Sequence, residues 1–217
     1  MALKFRHAGQ ACITANRVYV QRGVYEKFGK MLAECVGQLK VGHGMEKGTT
    51  MGPVTVPAGL DKVAGQIKDA VDKGATVLTG GEKINKNGGY FFQPTVIQNA
   101  APGMLVTEEE TFGPLLAMIP FDTEEEVVEA ANKTSMGLSS YFFTKNVDRT
   151  WRLLENLEAG TIGMNTGNAS AAESPFGGIK DSGYGKESGK DVALQEYLIT
   201  KTGTLTIEGQ YQRSYQR

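Results

Sequence analysis

The sequence predicts an α/β fold built on a mostly parallel, doubly wound sheet. Two observations predict it. Apolar runs of strand length alternate with helical stripes from Leu115 to Asn165, and an earlier amphipathic helix stops at Gly74 directly before the buried run Ala75-Thr76-Val77-Leu78-Thr79. A helix between two strands carries the chain back to the starting end of the sheet, so such strands pair in parallel with helices on the faces. With 217 residues, 40% of them hydrophobic and 22% charged, the chain has material for an ordinary core.

The elements follow in order. Ile13 to Val20 reads as a strand, and Val24 to Leu39 as a helix whose apolar positions Val24, Phe28, Met31, Leu32, Cys35, Val36 and Leu39 form one stripe. On that stripe Cys35 reads as a small buried hydrophobe. A second helix runs from Ala58 to Lys73 and feeds the Ala75 to Thr79 strand. Gly80 to Gly89 reads as a polar turn region, and Phe92 to Gln98 as a strand whose Pro94 marks an edge or an irregular start. Leu115 to Phe121, Leu138 to Thr144 and Thr161 to Asn165 are strands, separated by helices Glu124 to Lys133 and Val147 to Ala159. The acids after Asp122-Thr123 belong to a capped first helical turn. Thr166 to Lys186 reads as irregular, a short helix follows, Glu196 to Thr206 reads as a strand, and the end is a loose tail.

A net charge of −1 leaves no electrostatic footprint for nucleic acid or an anionic membrane, and no run of 18 apolar residues exists to span one. Nothing at the start resembles a signal peptide, so the expected location is cytoplasmic, or mitochondrial if a transit peptide stands upstream of Met1. Two cysteines and two histidines are too few for a disulfide scaffold, and no metal site is expected.

Three segments could carry chemistry. Cys12 stands behind the Gly9-Gln10 turn and ahead of a strand, a setting that can expose a sulfur beside backbone N–H donors; the alternative is a small buried residue. Glu110-Thr111-Phe112-Gly113-Pro114 offers either a plain loop or a carboxylate for sugar hydroxyls beside an aromatic face for a flat ring. The glycine-dense run from Ser174 to Gly185 misses the dinucleotide-binding spacing and contains no Gly-Lys-Ser/Thr sequence, so it reads as a loop presenting Phe176 to a pocket.

Taken in this order, Phe5-Arg6-x-x-Gly9-Gln10-x-Cys12, Glu109-Glu110-Thr111-Phe112-Gly113-Pro114, and Asn165 through Ser174-Pro175-Phe176-Gly177-Gly178-x-Lys180-x-Ser182-Gly183 resemble the aldehyde dehydrogenase superfamily. Within it the chain is most similar to the succinate-semialdehyde dehydrogenases. The resemblance implies the superfamily's catalytic domain over 1–195, an oligomerisation strand over 196–208 and a flexible tail over 209–217, with the main cofactor-binding domain outside the chain. It implies NAD or NADP as cofactor, a small-molecule aldehyde as substrate, a homodimer or homotetramer, and a place in GABA degradation. It also implies roles: Cys12 as nucleophile, Glu110 and Phe112 at the nicotinamide ribose and ring, Arg6 paired with the distal carboxylate of the substrate, and Ser170 and Phe176 lining the substrate tunnel. In the superfamily a cysteine thiohemiacetal becomes a thioester that water hydrolyses.

Arg6 also has a physical rationale, since a cation near the nucleophile selects for an anionic substrate of suitable length. Some relatives carry a second cysteine two residues after the nucleophile; here that position is Thr14, so a disulfide switch is not expected. The oxyanion asparagine and the base glutamate of the superfamily precede the nucleophile, so the 217 residues are expected to be a fragment without turnover. The contrasting expectations are a non-catalytic self-association module, or a dehydrogenase for another semialdehyde such as glutaric semialdehyde.

Overall fold

A computed structural model describes residues 1–86 and 88–206. A short helix, α1 (Ala2–Phe5), and a single turn (Arg6–Gly9) lead into β1 (Arg17–Gln21), α2 (Tyr25–Gly37), α3 (Pro57–Asp72) and β2 (Thr76–Thr79). A hairpin of β3 (Lys83–Lys86) and β4 (Gly89–Phe92) follows, then β5 (Thr95–Gln98), α4 (Leu105–Glu108) and β6 (Leu115–Phe121). The remainder is α5 (Glu124–Asn132), β7 (Met136–Gly137), β8 (Ser139–Phe142), α6 (Val147–Asn156), β9 (Thr161–Met164), β10 (Ile179–Lys180) and α7 (Asp191–Glu196).

The main sheet has the order β1-β6-β5-β2, with β1, β6 and β5 parallel and β2 antiparallel at the far edge. Successive side chains of a strand face opposite sides, and the two core clusters sort accordingly. Ile97, Leu115 and Ala117 face Val63, Ile67 and Ala70 of α3. Val96, Leu116 and Met118 face Tyr25 and Val36 of α2. The sheet therefore carries a helix on each face, as the alternation predicted. A separate parallel ladder joins β8 to β9, and β7 pairs with β10.

Several boundaries move for identifiable reasons. The first strand begins at Arg17, because Ala11 to Thr14 form a turn closed by the Thr14 amide and hydroxyl on the Ala11 carbonyl at 3.0 and 2.9 Å. Pro94 does cut the strand predicted over Phe92 to Gln98, yet β5 beyond it lies inside the sheet and not at an edge. The polar region predicted over Gly80 to Gly89 contains most of a hairpin, whose Ile84 sits opposite Phe91.

The α2 stripe divides in two. Tyr25, Gly29 and Val36 are buried, whereas Val24, Phe28, Met31 and Cys35 are exposed, so Cys35 is not the core residue expected. The cause is the approach at Gly29, where an added Cβ would stand 3.3 Å from both Leu78 and Met118, fixing which side of the helix meets the sheet. At the other end of the chain, Glu196 closes α7 and the single chain forms no strand from Tyr197 to Thr206. No neighbouring strand offers a ladder to this segment among the described residues, and Leu198, Ile199 and Leu205 stand exposed. Residues 207 and 208 of the predicted oligomerisation strand, and the predicted 209–217 tail, lie outside the described residues.

Candidate active site

Cys12 rides at the tip of a loop whose two ends are stapled together. The Ala15 amide donates to the Leu3 carbonyl at 2.9 Å, and the Lys4 ammonium donates to Asn16 Oδ1 at 2.6 Å. Between them, His7, Ala8 and Gly9 all take positive φ, at 54°, 52° and 74°. A residue with a Cβ in this region carries about 1–2 kcal/mol of strain, so the turn must be held from outside. Burial of Ala8 supplies part of that, and the Gln10 side chain supplies more: its Oε1 accepts from the Thr55 amide and hydroxyl at 2.8 and 2.9 Å, while its Nε2 donates to the Pro53 carbonyl at 3.2 Å. The sulfur itself is exposed.

Three distant segments close on this loop. Gly9 lies so near the Glu110 segment that an added Cβ would stand 2.1 Å from the Gly113 carbonyl oxygen, and a residue other than glycine would clash with backbone. Beneath the same segment, the buried Lys4 donates to the Thr111 carbonyl at 3.1 Å, and the Thr111 hydroxyl donates to Gln66 Oε1 at 2.8 Å. Burial drives the Lys4 ammonium down from 10.5 to about 7, against the opposing attraction of the Glu110 carboxylate. From a second direction, the Leu3 side chain touches the position of a Cβ on Gly167, in the loop after β9. From a third, the Tyr141 hydroxyl of β8 donates to the Ile13 carbonyl at 2.9 Å.

The predicted residues distribute as follows. Arg6 and Cys12 are exposed on the loop, and the Tyr141 phenol feels the charge of both. Glu110 and Phe112 are exposed on either side of the buried Thr111 in sequence. Ser170 lines a cavity of about 310 Å³ with Gly163, Met164, Thr166 and Asn168. Phe176 is half-buried, and its carbonyl is held by the Glu187 amide at 2.7 Å within its own loop. Thus the Cys12 and Glu110 segments and the start of the Asn165 loop come together, while the contacts that anchor Phe176 are local.

Sequence reasoning missed Lys4, Gln10 and Tyr141 as organisers of the loop. A lysine inside the apolar run Ala2-Leu3-Lys4-Phe5 and a tyrosine inside a strand were the available signals. Neither specifies a partner more than a hundred residues away. No group of three or more His, Cys, Asp or Glu side chains is arranged to hold a metal ion, and no helix is long and apolar enough to cross a membrane, among the described residues.

Comparison with known proteins agrees with this arrangement of segments. The chain is 46% identical over 206 residues to succinate-semialdehyde dehydrogenase [NADP(+)] 1 of Schizosaccharomyces pombe, covering 95% of this chain and 41% of that protein. It is 48% identical over 202 residues to the mitochondrial succinate-semialdehyde dehydrogenase of Mus musculus, covering 93% of this chain and 38% of that protein. The crystal structure of an aldehyde dehydrogenase from Brucella melitensis biovar abortus 2308 superposes with a TM-score of 0.89 at 50% identity, over 93% of this chain and 41% of that one. The succinate-semialdehyde dehydrogenase from Burkholderia pseudomallei does so with a TM-score of 0.87 at 44% identity, over 90% and 40%. The chain thus spans about two fifths of the length of the relatives it matches. Residues 1–203 match the aldehyde dehydrogenase family along nearly the whole chain, and together with the superposed structures this establishes that the chain belongs to the aldehyde dehydrogenase family.

Proposed function

We propose that this chain supplies the nucleophile and part of the cofactor site of an NAD(P)-dependent aldehyde dehydrogenase that oxidises succinic semialdehyde to succinate. The observation that supports the reading is the approach of the Glu110 segment and the Asn165 loop to the stretch of chain, Leu3 to Gly9, that leads into the exposed Cys12. In this reading the Cys12 thiolate adds to the aldehyde carbon, and its own N–H is one donor to the oxyanion of the resulting thiohemiacetal. Arg6 pairs with the distal carboxylate, and Ser170 and Phe176 line the path of the substrate.

The residues present fit a nicotinamide cofactor. Glu110 and Phe112 are both exposed on one short loop, a carboxylate suited to ribose hydroxyls and an aromatic face suited to a flat ring. A nicotinamide bound there would supply the hydride acceptor for oxidation of the Cys12 adduct. Activation of the hydrolytic water and the second oxyanion donor are assigned to the part of the relatives that this chain does not span. By themselves the 217 residues engage aldehyde without turnover.

Self-association belongs to the same proposal. The exposed apolar side chains Tyr197, Leu198, Ile199 and Leu205 offer a strand edge to a second copy, giving a homodimer or homotetramer. Sedimentation at micromolar concentration tests this, and a monomer removes it.

The catalytic reading is tested by thiol labelling read by mass spectrometry. Succinic semialdehyde should slow iodoacetamide labelling of Cys12 and leave Cys35, exposed on α2, unaffected. Equal labelling of both thiols with and without the aldehyde overturns the reading. Turnover of succinic semialdehyde by the 217 residues with NAD or NADP overturns the division of labour.

A further inference from the structure

Among the described residues, the β8 side chain that hydrogen-bonds to the Cys12 loop is Tyr141. Its hydroxyl donates to the carbonyl of Ile13, the residue directly after the nucleophile, at 2.9 Å across 128 positions of sequence. The ring is fixed independently of that bond. An added Cβ on Gly163 of the adjacent β9 would stand 2.5 Å from Tyr141 Cδ1, so the ring lies flush against a position that only glycine leaves open. β8 and β9 pair in register here, Tyr141 opposite Gly163.

Burial holds the phenol above the ordinary tyrosine value, against the Ser139 side chain and the Arg6 guanidinium, which pull it down, while Cys12 pushes it up. The proton therefore stays on the oxygen at neutral pH, and the group remains a donor to Ile13. The turn it grips needs such a hold, because the preceding left-handed residues store strain that the loop would otherwise release.

We infer that Tyr141 is a positioning residue for the nucleophile: its ring, seated on Gly163, and its hydroxyl, bonded to the Ile13 carbonyl, pin the Cys12 turn to β8 so that the thiol and the Cys12 N–H face the aldehyde together. The inference rests on the reading of Cys12 as the nucleophile. Removing the hydroxyl leaves the ring packing intact but loosens the turn on its β8 side, and the oxyanion donor then loses its alignment with the sulfur.

The test uses the 217-residue chain and the concentration of succinic semialdehyde that halves iodoacetamide labelling of Cys12. Tyr141→Phe should raise that concentration at least fivefold, with Cys35 labelling and the melting temperature unchanged. Fluorotyrosine at 141, which keeps both shape and donor, should restore the original value. An unchanged protective concentration in Tyr141→Phe overturns the inference while leaving the catalytic reading in place. So does a Tyr141→Phe chain that alters Cys35 as much as Cys12, since that is a fold defect, or a fluorotyrosine chain that behaves like Tyr141→Phe. Absence of protection in the unsubstituted chain removes the catalytic reading and the inference with it.

Discussion

The Lys4 ammonium donates to the carbonyl of Thr111 at 3.1 Å from a fully buried position, joining two parts of the chain that lie 107 residues apart. The joint spans the Cys12 loop and the Glu110 segment. Its sign with pH follows from the depressed value of about 7 against 10.5 for a free lysine. Between these values the unfolded chain binds the proton that the folded chain releases, so stability rises with pH across that window. Wild-type chain should gain stability from pH 7 to pH 9 relative to Lys4→Met, on the order of 1 kcal/mol per pH unit. Denaturant melts of both chains at the two pH values check it, and parallel pH dependence would remove the assignment.

Gly9→Ala should be among the most damaging single-methyl substitutions in the chain. The added carbon meets the Gly113 carbonyl and also demands φ of +74° from an alanine. A loss of about 3 kcal/mol is expected from a backbone clash combined with strain. Thermal melting measures the loss, and slower refolding of the Cys12 loop is not required for it.

Arg6→Ala should change reagent selectivity more than reactivity. Iodoacetate carries a carboxylate that iodoacetamide lacks, so the ratio of their rates at Cys12 reports a cation beside the sulfur. The ratio should fall about threefold to tenfold, as loss of one partly exposed charge contact of about 1 kcal/mol allows, while the ratio at Cys35 stays constant. An unaltered ratio at Cys12 removes Arg6 as the group that recognises the anionic end.

Glu124 receives Arg149 and Arg152 at 2.7 Å each, tying α5 to α6. The side-chain hydrogen bonds from Arg152 and Arg149 hold its carboxyl at about 2, below the usual 4.5. A depressed carboxyl stabilises above its unfolded value and loses that contribution as pH falls through the folded one. Glu124→Gln should therefore lower stability at pH 7 by less than about 1 kcal/mol for so open a pair, read as a slightly lower melting temperature, with the difference shrinking from pH 4.5 toward pH 2.

Much of this architecture could be read from residue pattern, because it depends on periodicities that repeat locally. The α3 helix, β6 and the Thr123 cap of α5, which is a full capping box with Glu126, fall where the spacing put them. The α2 stripe failed because apolar residues three and four apart define a broad arc, and only the approach of Gly29 to Leu78 and Met118 selects half of it. Tyr197 to Leu205 forms no strand within the single chain for a different reason, since a strand needs a partner and periodicity cannot supply one. At the site, the motif residues were legible by type and order. The groups that hold them, Lys4, Gln10 and Tyr141, act on backbone carbonyls and amides of remote segments, and a carbonyl leaves no trace in the identity of its residue.

The pairing of β1 with β6 acts as a ruler for the chemistry. Cys12 precedes β1 by five residues, and Phe112 precedes β6 by three. Both loops thus enter the sheet at the amino ends of adjacent parallel strands, where Arg17 lies opposite Ala117. A slip of two residues would keep every side chain on its proper face and conserve both cores, yet it would displace one loop past the other by about 6–7 Å. Such a chain would melt cooperatively and look native by its secondary structure while holding the Cys12 loop away from the Glu110 segment. Contacts that cross between the loops, Gly9 on Gly113 and Lys4 on Thr111, forbid that alternative, so the same contacts that bring the loops together also proofread the sheet beneath them.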